Sequence, residues 1–175
     1  MAFTPETGTG LATANAYITL AAFKAHHNDR GRVYTGLYTD PVIQTAIVKA
    51  TDYLDKRFGR RFRGVKGSSA QALAWPRISA FDASGYAFEG VPRQLAMATA
   101  EYAWVALGLG TTELAPTVEG SVEEKTETVG PISTSLRYST RFSDNSLVTG
   151  IMEYPEADLW VLELLESTQS REVSL

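Results

Sequence analysis

The sequence predicts a mainly α protein: a helical domain of about four helices with a projecting β-hairpin and an extended N-terminal arm. Three observations carry this. Ile43, Ile47, Ala50, Leu54 and Phe58 recur at spacings of three and four, the stripe of a helix that buries one face. Two segments rich in Thr and charge, Val122 to Val129 and Ile132 to Tyr138, flank Gly130-Pro131, the pattern of two strands about a turn. The first 16 residues, rich in Thr, Gly and Ala, follow neither period.

The organisation follows in order. Residues 1–18 form the arm. Residues 19–138 form the helical domain, with the hairpin at about 120–138. Thr19 is placed to cap a short helix from Leu20 to about Asn28, which Asn28-Asp-Arg-Gly31 terminates. Asp40 is expected to cap the second helix, with Pro41 at its first position, where a missing N–H costs nothing. Gly59 is its stop. Pro92 opens a third helix to about Leu107, whose small residues Ala96, Ala98, Ala100 and Ala103 let it lie centrally against the second. The hairpin strands hold few apolar residues, so they project or pair with something. Residues 139–175 comprise a polar loop, a helix opened by Pro155, and a frayed tail from 167.

Composition bounds the class. At 175 residues one domain is the expectation, and 44% apolar content with three Trp, seven Phe and eight Tyr can build a core. The absence of Cys removes disulfides, thiolate nucleophiles and Cys-ligated zinc. Met1-Ala-Phe-Thr-Pro5 lacks the basic and apolar regions of a secretory signal, and the run Leu95 to Ala100 is far too short to span a bilayer. No membrane partner is expected. A net charge of −4 and a pI near 5.2 argue against a dedicated duplex-DNA binder.

Catalytic chemistry is missing. His26 and His27, about 100° apart on a helix, cannot chelate one ion together and read as a solvated helix end. Gly8-Thr-Gly10 lacks the third glycine and the preceding strand of a dinucleotide fingerprint. There is no Walker lysine loop, nucleophile elbow or zinc-protease helix. The expectation is a non-enzyme without metal or cofactor.

Charge is unevenly spread. Lys56, Arg57, Arg60, Arg61, Arg63 and Lys66 place six cations in eleven residues with no acid among them. Glu119, Glu123, Glu124 and Glu127 lie in one later segment, and Glu153, Glu156, Asp158, Glu163 and Glu166 make the C-terminal third acidic. Such a chain is electrostatically complementary to copies of itself. Interleaved with Phe58 and Phe62, the basic segment can instead grip phosphates while the rings stack on bases. The alternative is that both rings face the core and the arginines are solvated or pair with acids; the place of Phe58 in the helical stripe favours that. On the last helix Leu159, Leu162 and Leu165 form an apolar line with Trp160 beside it, which either caps the core or docks on another protein.

Gln71-Ala-Leu-Ala-Trp-Pro-Arg77 has the character of a structural anchor. Pro76 stiffens the backbone and biases Trp75 towards an extended conformation, while Gln71 and Arg77 bracket the pair with hydrogen-bonding groups. The segment is expected to pin a loop against a helix or a neighbouring subunit, with Trp75 in the core.

Several of these stretches together resemble the head–tail connector, or adaptor, family of tailed bacteriophages. The likeness is carried by Gly10-Leu11-Ala12, Ala16-Tyr17-Ile18, Ala50-Thr-Asp-Tyr-Leu-Asp55, Phe62-Arg63-Gly64, Gln71 to Arg77, the Pro92 helix with Glu101, and Val129-Gly130-Pro131. It reaches to about residue 138 and leaves the acidic C-terminal third unmatched. It implies a dodecameric ring in the neck of a virion, made in the host cytoplasm. Such a ring binds portal above and a tail-completion or stopper protein below, and passes DNA without sequence-specific binding or catalysis. In such a ring the cations 56–66 are expected at subunit or portal interfaces, because a channel lined with them would trap phosphates. Similar phage sequences are also labelled DnaT-like single-stranded-DNA-binding proteins, for which the same cations would be the site.

Overall fold

The structure, a computed structural model, describes residues 2–110, 114 and 154–166 in full, and the strands 124–129 and 132–137 by their backbone. The helices are α1 (Leu20–Asn28), α2 (Asp40–Phe58), α3 (Arg93–Gly108) and α4 (Pro155–Leu162). The strands are β1 (Val65–Lys66), β2 (Arg77–Ile78), β3 (Glu124–Val129) and β4 (Ile132–Arg137). The chain forms two compact units, one of Met1–Leu114 with Tyr154–Leu175 and one of Ala115–Glu153. The smaller unit holds the expected hairpin: β3 and β4 pair antiparallel from Glu124↔Arg137 to Val129↔Ile132. Gly130-Pro131, Glu119, Glu123, the loop 139–150 and the tail 167–175 lie outside the described residues.

In the larger unit α2 packs on α3, and α4 on α3. All five residues of the stripe read from the sequence are buried, joined by Ala46 and Thr51. Ala46, Ala50, Ala98 and Ala103 are fully enclosed, and their small side chains let α2 and α3 approach closely. Thr19 caps α1 as expected, its hydroxyl accepting from Ala22 N at 3.0 Å. The cap of α2 lies one residue earlier than expected. Thr39 occupies it, while Asp40 is already helical and its carboxylate takes Lys24 Nζ at 2.6 Å. Among the described residues no helix is long and apolar enough to cross a membrane.

The arm lacks helix, as expected, and is held in place. Four backbone N–H groups, those of Gly8, Thr9, Gly10 and Leu11, converge on the Glu6 carboxylate at 2.9–3.0 Å. Gly8 and Gly10 reach this geometry through positive φ, a region closed to most side chains. The arm then buries Ala14, Ala16, Tyr17 and Ile18 against the helices.

Three of the stretches singled out in the sequence meet at one side chain of α2. Asp55 accepts the Tyr17 hydroxyl on Oδ1 and the Ala74 N–H on Oδ2 at 2.8 Å, and the Tyr17 oxygen accepts Trp75 N at 3.3 Å. Burial raises the Asp55 carboxyl above its usual range, opposed by the bonds from Tyr17 and Ala74. Gln71 closes the loop on itself: its amide donates to Leu73 O and Pro76 O and its oxygen accepts Ser68 N. The Trp75–Pro76 bond is cis and the Trp75 ring is wholly buried, edge-on to Phe62 and Phe88. The Gln71–Arg77 segment therefore anchors a loop onto α2 of the same chain.

Asp55→Ala strands the Tyr17 hydroxyl and the Ala74 N–H in the interior, and is expected to lower stability by about 2–4 kcal/mol. Tyr17→Phe leaves Asp55 Oδ1 and the Trp75 N–H without the hydroxyl they share, and should cost a comparable amount. Urea denaturation at pH 7 of both variants beside the parent checks this.

Candidate functional site

The chain leaves α2 as a strap, residues 59–66, which runs over the edge of the larger unit. Phe58 and Phe62 face inward, 4% and 1% exposed, so neither ring is available to a base. The reading in which they stack is thereby corrected: both belong to the core. The strap is hydrogen-bonded along its length. Arg63 N donates to Leu164 O and Glu166 N to Arg61 O, while β1 pairs antiparallel with β2, Val65 opposite Ile78 and Lys66 opposite Arg77. Beneath it the Arg77 guanidinium donates to three successive carbonyls, Phe62 at 3.2 Å, Arg63 at 2.7 Å and Gly64 at 2.6 Å. Gly64 has φ +69°, and a Cβ there would lie 2.3 Å from Ile78 O. Only glycine admits so close an approach.

This scaffold sorts the six cations. Arg57 turns inward, pairing with Asp158 at 3.1 Å and the Tyr53 hydroxyl at 2.8 Å, its guanidinium over the Phe58 ring. Arg63 donates to the carbonyls of Leu165 and Phe81. Lys66 reaches Gln71 O at 3.2 Å and is otherwise exposed. Lys56, Arg60 and Arg61 are exposed, and their side chains have no ion pair or hydrogen bond among the described residues. Arg57 and Arg63 are thus structural, Lys66 is tied at its tip to the Gln71 loop while its stem is exposed, and Lys56, Arg60 and Arg61 face solvent. The exposed apolar residues Val65 and Ile78, paired across β1 and β2, and Phe81, whose carbonyl takes Arg63, escaped the sequence reading.

The other sequence candidates are dispersed. Glu124 and Glu127 sit in β3, opposite Arg137 and Thr134. On α4 the buried face is Ala157 and Val161, continued beyond the helix by Leu164, so Leu159 and Leu162 point outward. Leu165 departs from the expected line. The helix ends at Leu162, and Leu165 is buried in a bridge to Phe62. Trp160 is half-buried beneath the Arg93 guanidinium.

His26 and His27 contradict the expected solvated helix end, for both are buried. His26 Nε2 bonds Glu101 Oε1 at 2.7 Å, and Arg32 Nη1 reaches Glu101 Oε2 at 2.5 Å and continues through Nη2 to Glu156 on α4 at 3.2 Å. Burial alone would raise the Glu101 carboxyl, but the hydrogen bonds from Arg32 and His26 outweigh it and hold it below its ordinary range. His27 lies against Phe23 and Trp104 and bridges Ala100 O at 3.2 Å and Arg32 Nη1 at 3.3 Å. Arg32 can only donate, so Nδ1 accepts and the proton sits on Nε2. The polar atoms of this hub are committed to one another, which makes it a tie between α1, α3 and α4. Among the described residues no group of three His, Asp or Glu side chains is arranged to hold a metal ion.

The family described as "Putative DnaT-like ssDNA binding protein" has a model that matches residues 1–174. The chain belongs to that family. The match runs through the acidic C-terminal third, which the residue-by-residue likeness to connectors did not reach. No curated protein and no solved structure matches the chain.

The hub has a pH signature. Burial lowers His27 from 6.5 to about 4. Between those values the folded state holds fewer protons than the unfolded state, so stability rises with pH. His27's contribution is complete above pH 6.5 and lost as pH falls towards 4. Unfolding free energy at pH 5 is expected about 2 kcal/mol below that at pH 7. His27→Gln, which cannot titrate, should flatten the dependence; equal slopes for parent and variant in urea melts would assign it to another group.

Proposed function

We propose that the chain binds single-stranded DNA through the phosphate backbone, gripped by Lys56, Arg60, Arg61 and Lys66. The observation that carries this is the partition of the basic segment. Arg77 and Gly64 hold the strap from beneath, and Lys56, Arg60 and Arg61 face solvent with no ion pair among the described residues. Membership of a family described by single-stranded-DNA binding supports the reading. With four phosphates contacted, the slope of log affinity on log salt is about −3. Binding is therefore moderate at low salt and falls roughly 50-fold between 50 and 200 mM. The net charge of −4 works against tighter binding.

Fluorescence anisotropy with a labelled oligothymidylate tests this. Micromolar binding at 50 mM salt, abolished by Arg60→Glu with Arg61→Glu, is expected. A parent protein that leaves the oligonucleotide free at low salt would refute it.

A second reading, the ring-forming head–tail connector of a phage virion, is favoured by α4. Leu159 and Leu162 stand 65% and 56% exposed between Glu156 and Glu163, an acidic and apolar face complementary to the strap of another copy. Portal and a tail-completion or stopper protein would be its partners. Exposed ion pairs contribute only ~0–1 kcal/mol each, so they would set register while the leucines supply affinity. Native mass spectrometry with portal present separates the readings. Rings lost on Leu159→Ser with Leu162→Ser, oligonucleotide binding unchanged, support the connector; a monomer with and without portal counts against it.

A further inference from the structure

We infer that the groove beside α4 takes the strap arginines of a second copy of this chain, so that self-association and single-stranded DNA compete for the same cations; the competition rests on the phosphate-binding reading above. The groove has a volume of about 510 Å³. Glu156, Leu159, Trp160 and Glu163 line it, at intervals of three, four and seven residues from the first, which is one face of a helix. Arg30 and Arg32 line it too, but both are committed within the chain. Arg32 takes Glu101 at 2.5 Å and Oε2 of Glu156 at 3.2 Å, and Arg30 donates to the His26 carbonyl at 2.9 Å. The groups left over are acceptors. Glu156 is bonded through Oε2 alone, and so is Glu163, which takes the Gln94 amide at 2.8 Å. Oε1 of each has no hydrogen bond or ion pair among the described residues. Between these acids Leu159 is exposed, and the Trp160 ring already carries one guanidinium, that of Arg93 at 5.6 Å.

Uncommitted carboxylate oxygens beside an indole and a leucine suit a cation on an apolar stem. Arginine meets all three, with its fork on the carboxylates and its plane and methylenes on the apolar groups. The chain itself supplies such groups. Arg60 and Arg61 are exposed without ion pair or hydrogen bond among the described residues, and Glu166 meets Arg61 through the backbone alone. Within one copy they do not enter the groove, because the strap is pinned elsewhere, Arg63 N to Leu164 O at 2.9 Å and Glu166 N to Arg61 O at 2.8 Å. A second copy brings its own strap to the groove free of that restraint, so each copy carries both halves of the contact. A polyanion would meet the two free carboxylates there, which places the groove outside any path for DNA. Arginines seated in it are closed to phosphates. Association therefore masks the DNA site, and by linkage DNA drives the copies apart to the same extent.

The test is sedimentation velocity of the full chain at high micromolar concentration and about 50 mM salt, where charge pairs are least screened. An associated species is expected. Glu156→Arg with Glu163→Arg should abolish it, and so should Arg60→Glu with Arg61→Glu. An equimolar mixture of these two variants should regain it, because the reversed groove then meets the reversed strap and the two unaltered halves meet each other. All four side chains are exposed, so both variants should melt like the parent. Excess oligothymidylate should return the parent to single copies bound to DNA. A parent that sediments as single copies without DNA, or a mixture that does not recover, overturns the groove contact and leaves phosphate binding standing. Association that persists in saturating oligothymidylate overturns the competition. A parent that associates, with recovery in the mixture, yet binds no oligonucleotide removes the phosphate-binding reading and the competition with it, while the groove contact stands.

Discussion

A single carboxylate holds the larger unit together. Asp55 lies near the end of α2 and ties two distant segments to it: the arm through Tyr17 and the Trp75 loop through Ala74. A carboxylate suits the task because each of its two oxygens accepts from a different segment. The loop so fixed places Arg77 under the strap, and Arg77 then organises three carbonyls that would otherwise leave the surface ragged. The solvent-facing cations are therefore a remote product of Asp55. The order is α2, then the loop, then the strap, then the charges.

The inward and outward cations differ in neighbours rather than in chemistry. Arg57 adjoins Phe58, the last residue of a buried stripe, and is drawn over that ring towards Asp158. Arg63 follows Phe62, and its guanidinium is consumed by carbonyls of chain segments that pass close by. Arg57 and Arg63 thus become structural, whereas the Arg60 and Arg61 side chains have no ion pair or hydrogen bond among the described residues.

The stripe of α2 and the cap of α1 were legible because local rules produce them: a period of three to four residues, and a threonine hydroxyl three residues before the N–H it accepts. The hairpin was legible for the same reason. On α4 the pattern misled, because Leu159, Trp160, Val161, Leu162, Leu164 and Leu165 are apolar nearly all round, and no face is marked until α3 is in place. The histidines were misread because His26 finds Glu101 seventy-five residues away, a distance that no window of sequence spans. Glu6 was invisible as an anchor since its partners are main-chain N–H groups that any residues would supply. Of the candidate site, the cations were readable but which of them turn inward was not, since Asp158 and the carbonyls of Leu165 and Phe81 that take them lie far away in sequence.

The bridge between Phe62 and Leu165 has a consequence for synthesis on the ribosome. The arm emerges first, yet its partners are Thr51, Asp55 and Trp75, so it stays unsatisfied until the loop that carries Trp75 has left the exit tunnel. The strap waits longer still, since Leu165, which bonds Arg63, lies 102 residues further along the chain. Contacts of such sequence separation form late, after the α2–α3 pair has condensed. During that interval the inner rings, Phe58 and Phe62, lack their cover, and the nascent protein exposes the side of the strap that the finished molecule hides. The chaperone-sensitive moment of this chain therefore comes before residues 164–166 are in place, and losing those contacts would harm solubility out of proportion to their number.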